Sequence, residues 1–349
     1  MNKKVVLGMS GGVDSSVAAY LLKKQGYDVF GITLKTLKNE DESIFNDAKK
    51  VADMLSIPYK IVDVSESFSK NVIDYFTSEY LNGRTPNPCV VCNRLVKFEA
   101  MYDYAVKNDI DFIATGHYAK IEYDETKKRY ILLKSEYDKK DQSYVLYNLT
   151  QNQLSKIIFP LFDYPKDEIR KIAKDIGLLV ADKKDSQEIC FIPDNDYASY
   201  IKNRVGYLPP EGDFIDLEGN IIGKHKGIIH YTIGQRKGLG MTFGQPMFVT
   251  KINSIDNTVT LGKLGSQYKN TIIAKKPNFI SIEKLDEPTY FLCKARYSAK
   301  PEKALVTMLD DNTLKVEFEV CHTAAAPGQS VVFYDDNVVV GGAIIIDAY

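Results

Sequence analysis

Residues Lys4–Leu34 read KVVLGMSGGVDSSVAAYLLKKQGYDVFGITL, and this stretch decides the fold. Lys4–Met9 (KVVLGM) is a short apolar run of the kind that forms a buried strand. It leads directly into Ser10-Gly11-Gly12-Val13-Asp14-Ser15-Ser16. Ser15–Gln25 then carries helical spacing, and Asp28–Leu34 (DVFGITL) is a second apolar strand. Strand, glycine-rich turn, helix and strand in that order form the first crossover of a parallel sheet. Glycines let the backbone approach a ligand closely and adopt positive φ. Exposed N–H groups and the dipole at a helix start suit an anion, and the hydroxyls of Ser10, Ser15 and Ser16 add donors. Asp14 has two readings of equal weight: it helps to hold Mg²⁺, or it stabilises the first helical turn through the dipole.

The alternation continues outward. Asp47–Leu55 reads as a helix, and Tyr59–Val64 (YKIVDV) and Phe112–Thr115 as strands. Such a series predicts an α/β, Rossmann-like parallel sheet, with ligand at the carboxyl ends of its strands near the point where strand order reverses. After about Asp194 the texture changes to Pro, Gly and short apolar pairs, as in YLPPEGDFIDLEGNIIGK. From about Thr271 the runs FLCKARY, KALVTML, TLKVEFEV, SVVFY and VVVGGAIII predict a small β-barrel. At 349 residues the chain exceeds one hydrophobic core. Three parts are expected: a nucleotide-binding domain at 1–197, a small central domain at 198–270 and a barrel at 271–349.

Composition is that of a soluble globular chain, with 44% hydrophobic and 26% charged residues. The formal net charge of -1 gives no global positive field, so any nucleic acid must be met by local basic patches. The apolar run behind the first lysines is too short for a signal peptide, and no stretch reaches the roughly 20 apolar residues of a membrane span. A cytoplasmic protein is expected.

Five cysteines do not suggest a disulfide framework in a long, reduced chain. Cys89 and Cys92 form a Cys-x-x-Cys pair behind Asn87-Pro88, and Cys190 follows in DSQEICF. With no second pair at zinc-ribbon spacing and four histidines, a closed zinc site is disfavoured. Metal binding of another kind and thiol chemistry both remain, and the latter needs a thiolate although a free cysteine titrates near ~8.5. Arg94 and Lys97 are near enough in sequence to assist. Cys293 and Cys321 lie in apolar β-type runs and read as buried small hydrophobes. His225, His230 and His322 have no catalytic partner and read as structural or surface residues.

The loop SGGVDSS lacks the Gly-Lys-Ser/Thr ending of a P-loop, so γ-phosphate transfer is not its natural chemistry. It resembles the pyrophosphate loop of the PP-loop ATPases, which release pyrophosphate and attach AMP to a substrate oxygen. The resemblance becomes specific with an ordered set of motifs. They are GMSGGVDSS (Gly8–Ser16), NGRTPNPCVVCN (Asn82–Asn93), ATGHYA (Ala114–Ala119) and KKDQSYVLY (Lys139–Tyr147). KDSQEICFIP (Lys184–Pro193), HYTIGQRKGLG (His230–Gly240), KARYSA (Lys294–Ala299) and APGQSVVFY (Ala326–Tyr334) complete it. Together they resemble the bacterial tRNA-specific 2-thiouridylases (the MnmA family) over nearly the whole chain.

That resemblance implies an adenine-nucleotide α-hydrolase-like domain, a small central domain and a C-terminal β-barrel. It implies ATP at Gly8, Met9, Ser10, Gly11, Gly12, Val13, Asp14 and Ser15, with Leu34 and Gly116 near the nucleotide. Asn87, Pro88 and Cys89 would meet the target base. Lys140, Asp141, Gln142, Arg296 and Tyr297 would contact tRNA, with His117 and Gln329 as single further contacts. Phosphate contacts are also expected from Lys294, Lys300, Lys303, Arg236 and Lys237. Cys92 matches the family's nucleophile and Cys190 its persulfide-bearing cysteine.

The implied reaction adenylates the 2-oxygen of the wobble uridine and replaces it with sulfur. The tRNAs would be those decoding lysine, glutamate and glutamine, and the sulfur source a donor protein or sulfide. Some members carry Asp where this chain has Cys89. A third thiol leaves two versions open: a persulfide on Cys190 resolved by Cys92, or an iron–sulfur cluster on Cys89, Cys92 and Cys190. In the first, a loop around Asp185–Cys190 is expected to move on tRNA binding. Two rivals differ in class. Another PP-loop synthetase or a lysidine-forming ligase would need no cysteines, and a non-catalytic RNA-binding or iron–sulfur scaffold would release no pyrophosphate.

Overall fold

The computed structural model describes residues 2–137, 140–181, 183, 189–192, 194, 196–320 and 323–349, and of Glu42 the backbone only. Strands β1 (Lys4–Gly8), β2 (Asp28–Lys35), β3 (Tyr59–Asp63) and β4 (Phe112–Ala114) are parallel, in the order β3-β2-β1-β4. The chain then makes an antiparallel hairpin, β5 (Ala119–Asp124) and β6 (Arg129–Lys134), before β7 (Ile157–Ile158) joins the sheet beside β4. Strand order therefore reverses between β1 and β4, and sheets of this kind take their ligand outside the carboxyl ends of the strands at such a point.

Val5, Val6 and Leu7 of β1 are fully buried, as a strand covered on both faces requires. Helix α1 (Val13–Lys24) follows the glycine turn and buries Val17, Ala18, Leu21 and Leu22 in one core with the helix Lys166–Asp175. Two longer helices, residues 65–81 and 88–107, each contain a π-turn, at Ser69–Ile73 and Asn93–Lys97. The extra residue in such a turn rotates the face presented beyond it, and π-turns concentrate at functional sites.

The central part is a four-stranded sheet of β8 (Gly212–Ile215), β9 (Ile221–His225), β10 (Phe248–Asn253) and β11 (Thr258–Gly262), in the order β10-β11-β8-β9. The strands that follow are β12 (Thr271–Phe279), β13 (Thr289–Lys294), β14 (Glu302–Asp310), β15 (Thr313–Phe318), β16 (Ser330–Asp335) and β17 (Val338–Ala348). They run in the order β12-β15-β14-β13-β16-β17, and pairing of β12 with β17 closes the barrel. Val338 and Val339 of β17 also pair with Leu133 and Leu132 of β6. The hairpin of the first part thus extends the barrel's sheet, a link that local sequence pattern does not carry. Among the described residues no helix is long and apolar enough to cross a membrane.

Candidate active site

The glycine-rich loop leaves β1 at the reversal point. Met9 and Val13 are almost fully buried, so of these two only the backbone can face a ligand. Gly11 has φ +69°, and a Cβ there would press on the Ala48 nitrogen at 3.2 Å. The Ser15 hydroxyl accepts from the Ser10 N–H at 3.2 Å and lies 3.3 Å from the Ser10 hydroxyl. Ser16 donates to the Gly12 carbonyl at 2.8 Å. The hydroxyls read as anion donors therefore also hold the loop's own shape. Leu34 is half-buried at the carboxyl end of β2, and Gly116 follows β4. A Cβ on Gly116 would stand 2.9 Å from both the Asp14 carbonyl carbon and the Ser15 nitrogen, so only glycine lets the β4 loop lie against the start of α1.

Asp14 is held by Lys166, which the sequence did not mark, and by Tyr118 of the ATGHYA segment. The Lys166 ammonium donates to both carboxylate oxygens at 2.7 Å, and the Tyr118 hydroxyl donates to Oδ1 at 2.6 Å. Lys183 reaches the same loop, donating to the Gly11 carbonyl at 3.3 Å and to Asp47 at 3.0 Å. These lysines are single residues on separate elements, among 45 lysines and arginines, and no local pattern distinguishes them.

The cysteines sit on a second wall. Asn87 caps the helix 88–107 through its side-chain oxygen, accepting from the Val90 N–H at 3.4 Å, and Pro88 is buried in its first turn. Cys89 is exposed and Cys92, one turn on, half-buried. Cys190 is exposed, but the next residue, Phe191, is buried against the rings of Phe68, Phe76 and Tyr200 and anchors it. The three thiols feel one another: charge on Cys92 or Cys89 raises the Cys190 thiol. Desolvation dominates all three and pushes them above the usual thiol range, Cys190 to about 11. Lys97 is the cation that opposes this at each thiol.

Arg94, expected to help the thiols, instead donates to the Asn148 carbonyl at 3.1 Å and to Asn148 Oδ1 at 2.9 Å. The π-turn carries it to the barrel side of the helix, where Asn278 of β12 lies. Cys293 is buried as expected. His225 is structural, its two ring nitrogens engaged by the Asn257 carbonyl and the Gly227 N–H. Cys321, His322, Lys139, and Asp185–Glu188 of the expected mobile loop lie outside the described residues. Among the described residues no three His, Cys, Asp or Glu side chains converge to hold a metal ion. The cluster version asks Cys89, Cys92 and Cys190 for such a convergence, and their arrangement does not fit it.

His117 joins the two walls. It follows Gly116, its Nδ1 lies 2.7 Å from the Thr115 hydroxyl, and its ring packs between Phe98 and Phe159. Burial, with the charge of Lys97, holds it well below the usual imidazole range, so it is neutral at physiological pH.

Several residues expected at tRNA are engaged within the protein. Asp141 accepts from the Ser135 and Ser143 N–H groups and the Ser143 hydroxyl, shaping the segment that follows Lys140. Gln142 accepts from the Tyr118 N–H at 3.0 Å. Arg296 donates to the Ile233 carbonyl and lines a crevice of about 260 Å³ between the barrel and the central part, with Gly234 and Gln267. Lys303 pairs with Glu319. Lys300, Arg236 and Lys237 are exposed. Tyr297 is exposed, donates to the Asp141 carbonyl at 3.1 Å, and feels charge on Cys89, so the barrel borders the thiol site. Lys294 lies 5.8 Å from the Tyr297 ring centre. Gln329 donates to the Thr85 and Pro86 carbonyls just before the cysteine helix.

A parallel sheet with a glycine-rich loop at its switch point is the frame of a nucleotide-binding α/β domain, and His117 links that loop to the helix that carries Cys89 and Cys92. Residues 3–194 match the family described as tRNA methyl transferase HUP domain, 198–263 the tRNA methyl transferase PRC-barrel domain, and 269–345 the aminomethyltransferase beta-barrel domain. The tRNA-specific 2-thiouridylase MnmA of Clostridioides difficile is 54% identical over 355 residues, covering 99% of this chain and 98% of that protein. Its counterpart in Acetivibrio thermocellus is 51% identical over 355 residues, covering 98% and 99%. A solved 4-thiouridine synthetase–RNA complex with bound ATP is similar at 17% identity and TM-score 0.37, over 58% of this chain and 50% of that one. At this identity over nearly its full length, the chain belongs to the tRNA-specific 2-thiouridylase family.

Proposed function

We propose that the protein is a cytoplasmic, ATP-dependent tRNA-uridine 2-sulfurtransferase working through a persulfide on Cys190. What carries the reading is the meeting of two walls at His117: the glycine-rich loop lies against Gly116, and the Lys97 charge that His117 feels also acts on all three thiols.

The triphosphate of ATP would lie on Gly8–Ser15, with adenine against Leu34 and near Gly116. A magnesium ion would be held chiefly by the phosphates, since the loop's carboxylate, Asp14, is already neutralised by Lys166. Such an ion supplies charge neutralisation to the departing pyrophosphate. A uracil carbonyl is a poor electrophile with a poor leaving oxygen. The uridine 2-oxygen attacks the α-phosphorus, the bond to the bridging oxygen breaks, pyrophosphate leaves and the N3 proton goes to solvent. AMP is now the leaving group on C2.

Sulfur follows. The terminal sulfur of the Cys190 persulfide attacks C2 and AMP departs. The Cys92 thiolate then attacks the inner sulfur of Cys190, the sulfur–sulfur bond breaks, and 2-thiouridine is freed and regains its N3 proton. A Cys92–Cys190 disulfide remains, which an external thiol reduces before a sulfur-donor protein reloads Cys190. Lys97 supports each thiolate in turn. The absence of three converging ligands among the described residues favours this route over a cluster-bound sulfide.

Asn87, Pro88 and Cys89 would border the target base, and Lys140, Arg296, Tyr297 and Gln329 the tRNA around it. Substrates would be the tRNAs decoding lysine, glutamate and glutamine. The test is thiolation of unmodified tRNA by anaerobically purified, iron-assayed protein, with a persulfide donor or with sulfide. Cys92→Ser and Cys190→Ser should abolish thiolation and retain tRNA-dependent pyrophosphate release. Thiolation surviving both changes would sink the reading, and an iron-dependent activity would restore the cluster route.

A further inference from the structure

The loop Ser10–Ser16 contains no cation, yet the reaction proposed above concentrates negative charge on a leaving pyrophosphate. In P-loop enzymes a lysine inside the loop meets that charge. Here the cation comes from elsewhere in the fold. Lys166 opens the helix Lys166–Asp175, whose Ile169 and Ala173 are buried in the same core as Val17 and Leu21 of α1. That packing aims the Lys166 stem at the first turn of α1, where its ammonium sits 2.7 Å from each oxygen of Asp14. Its side chain is only 12% exposed, against 30% for Asp14, so the cation is sunk behind the carboxylate at the mouth of the loop. Replacing a buried pair with apolar residues is often neutral or stabilising, so stability alone is a weak reason to keep one. The Tyr118 hydroxyl, 2.6 Å from Asp14 Oδ1, shares that oxygen with the ammonium and helps to fix the carboxylate.

We propose that Lys166 is the phosphate-neutralising cation that the loop itself lacks, seated on Asp14 and turning to the pyrophosphate as it leaves. The uridine 2-oxygen bonds to the α-phosphorus, the bond to the bridging oxygen breaks, and the negative charge gained by pyrophosphate falls beside the Lys166 ammonium. A compact point charge on a flexible stem suits this transfer between two anions. The inference rests on the adenylation reading, because AMP has no pyrophosphate to meet Lys166 and ATP has.

The experiment compares ATP and AMP binding, and tRNA-dependent pyrophosphate release without a sulfur donor, in the wild type, Lys166→Met and Lys166→Arg. Met preserves most of the stem and its packing, and thermal melting verifies that each variant folds. Lys166→Met should weaken ATP about tenfold, leave AMP within about twofold, and slow pyrophosphate release by about a hundredfold, the usual loss for one electrostatic stabiliser. Lys166→Arg should recover part of both ATP affinity and rate. Equal losses for ATP and AMP would make Lys166 a structural support of Asp14 and overturn the inference, as would a Lys166→Met protein that matches the wild type. A wild type that binds ATP no better than AMP, or releases no pyrophosphate with tRNA, overturns the adenylation reading itself.

Discussion

One side-chain amide, that of Gln329, holds two peptide carbonyls of the segment leading into the cysteine helix: Nε2 lies 2.9 Å from the Thr85 oxygen, and it reaches the Pro86 oxygen at 3.1 Å. The Thr85 N–H returns a bond to the Pro327 carbonyl at 2.8 Å. Gly328 between them has φ +93°, and a Cβ there would meet the Thr85 oxygen at 2.9 Å. The barrel thus grips the chain immediately before Asn87, Pro88 and Cys89.

Gln329→Ala should therefore act from the barrel on the segment that leads into Asn87, Pro88 and Cys89. Two carbonyls lose their donor, which costs about 1–3 kcal/mol if they stay dry. Melting temperature should fall, and thiolation should fall further than pyrophosphate release. A variant with wild-type stability and thiolation would show that the grip has no such role.

Gly116→Ala forces a Cβ against the backbone of Asp14 and Ser15, both within 2.9 Å. Backbone cannot yield as a side chain can, so the β4 loop must separate from α1. The expected outcome is loss of ATP binding by more than about tenfold, with a folded protein by circular dichroism. ATP titration measures it.

Desolvation by the protein packed around it raises the Cys190 thiol to about 11, although the residue keeps an exposed edge, and neighbouring thiols push in the same direction. It is protonated at neutral pH, so alkylation should be slow at pH 7 and should quicken as pH rises toward that value. Lys97→Met removes the opposing cation and should slow alkylation of Cys89, Cys92 and Cys190 at any given pH. Arg94→Ala should leave these rates unchanged and lower stability, because Arg94 serves Asn148. Mass spectrometry of alkylated peptides across pH 6–10 reads all three.

His117 is held neutral far below the ordinary imidazole range, burial being the larger cause and Lys97 the second. The unfolded chain takes up this proton near pH ~6.5 and the folded one does not, so stability is intact above that value and declines as pH falls below it. His117→Gln should flatten that decline. Melting temperatures at pH 7.5 and 5.5 test it, and an identical pH dependence in the two proteins would refute it.

The first crossover was legible because its signals are local. KVVLGM formed β1 at Lys4–Gly8, DVFGITL formed β2 at Asp28–Lys35, and the glycine turn between them bends at Gly11 as a loop of that composition must. The barrel strands were legible for the same reason, since period-two patterning and turn residues are written along the chain. The pairing of β17 with β6 was not, because a partner strand leaves no mark in either strand's own sequence.

By itself, then, the sequence determined the elements, the glycine-rich loop, the cysteines and the family, all of which rest on residue type and on spacing between near neighbours. Tertiary structure alone decided which cation meets which anion: Lys166 on Asp14, Lys97 rather than Arg94 among the thiols, Gln329 on the Thr85 carbonyl. Electrostatic and hydrogen-bonding partners are chosen by distance in space, and Asp14 and Lys166 stand 152 positions apart in the chain. Only the packing of the helix Lys166–Asp175 against α1 brings that separation down to 2.7 Å.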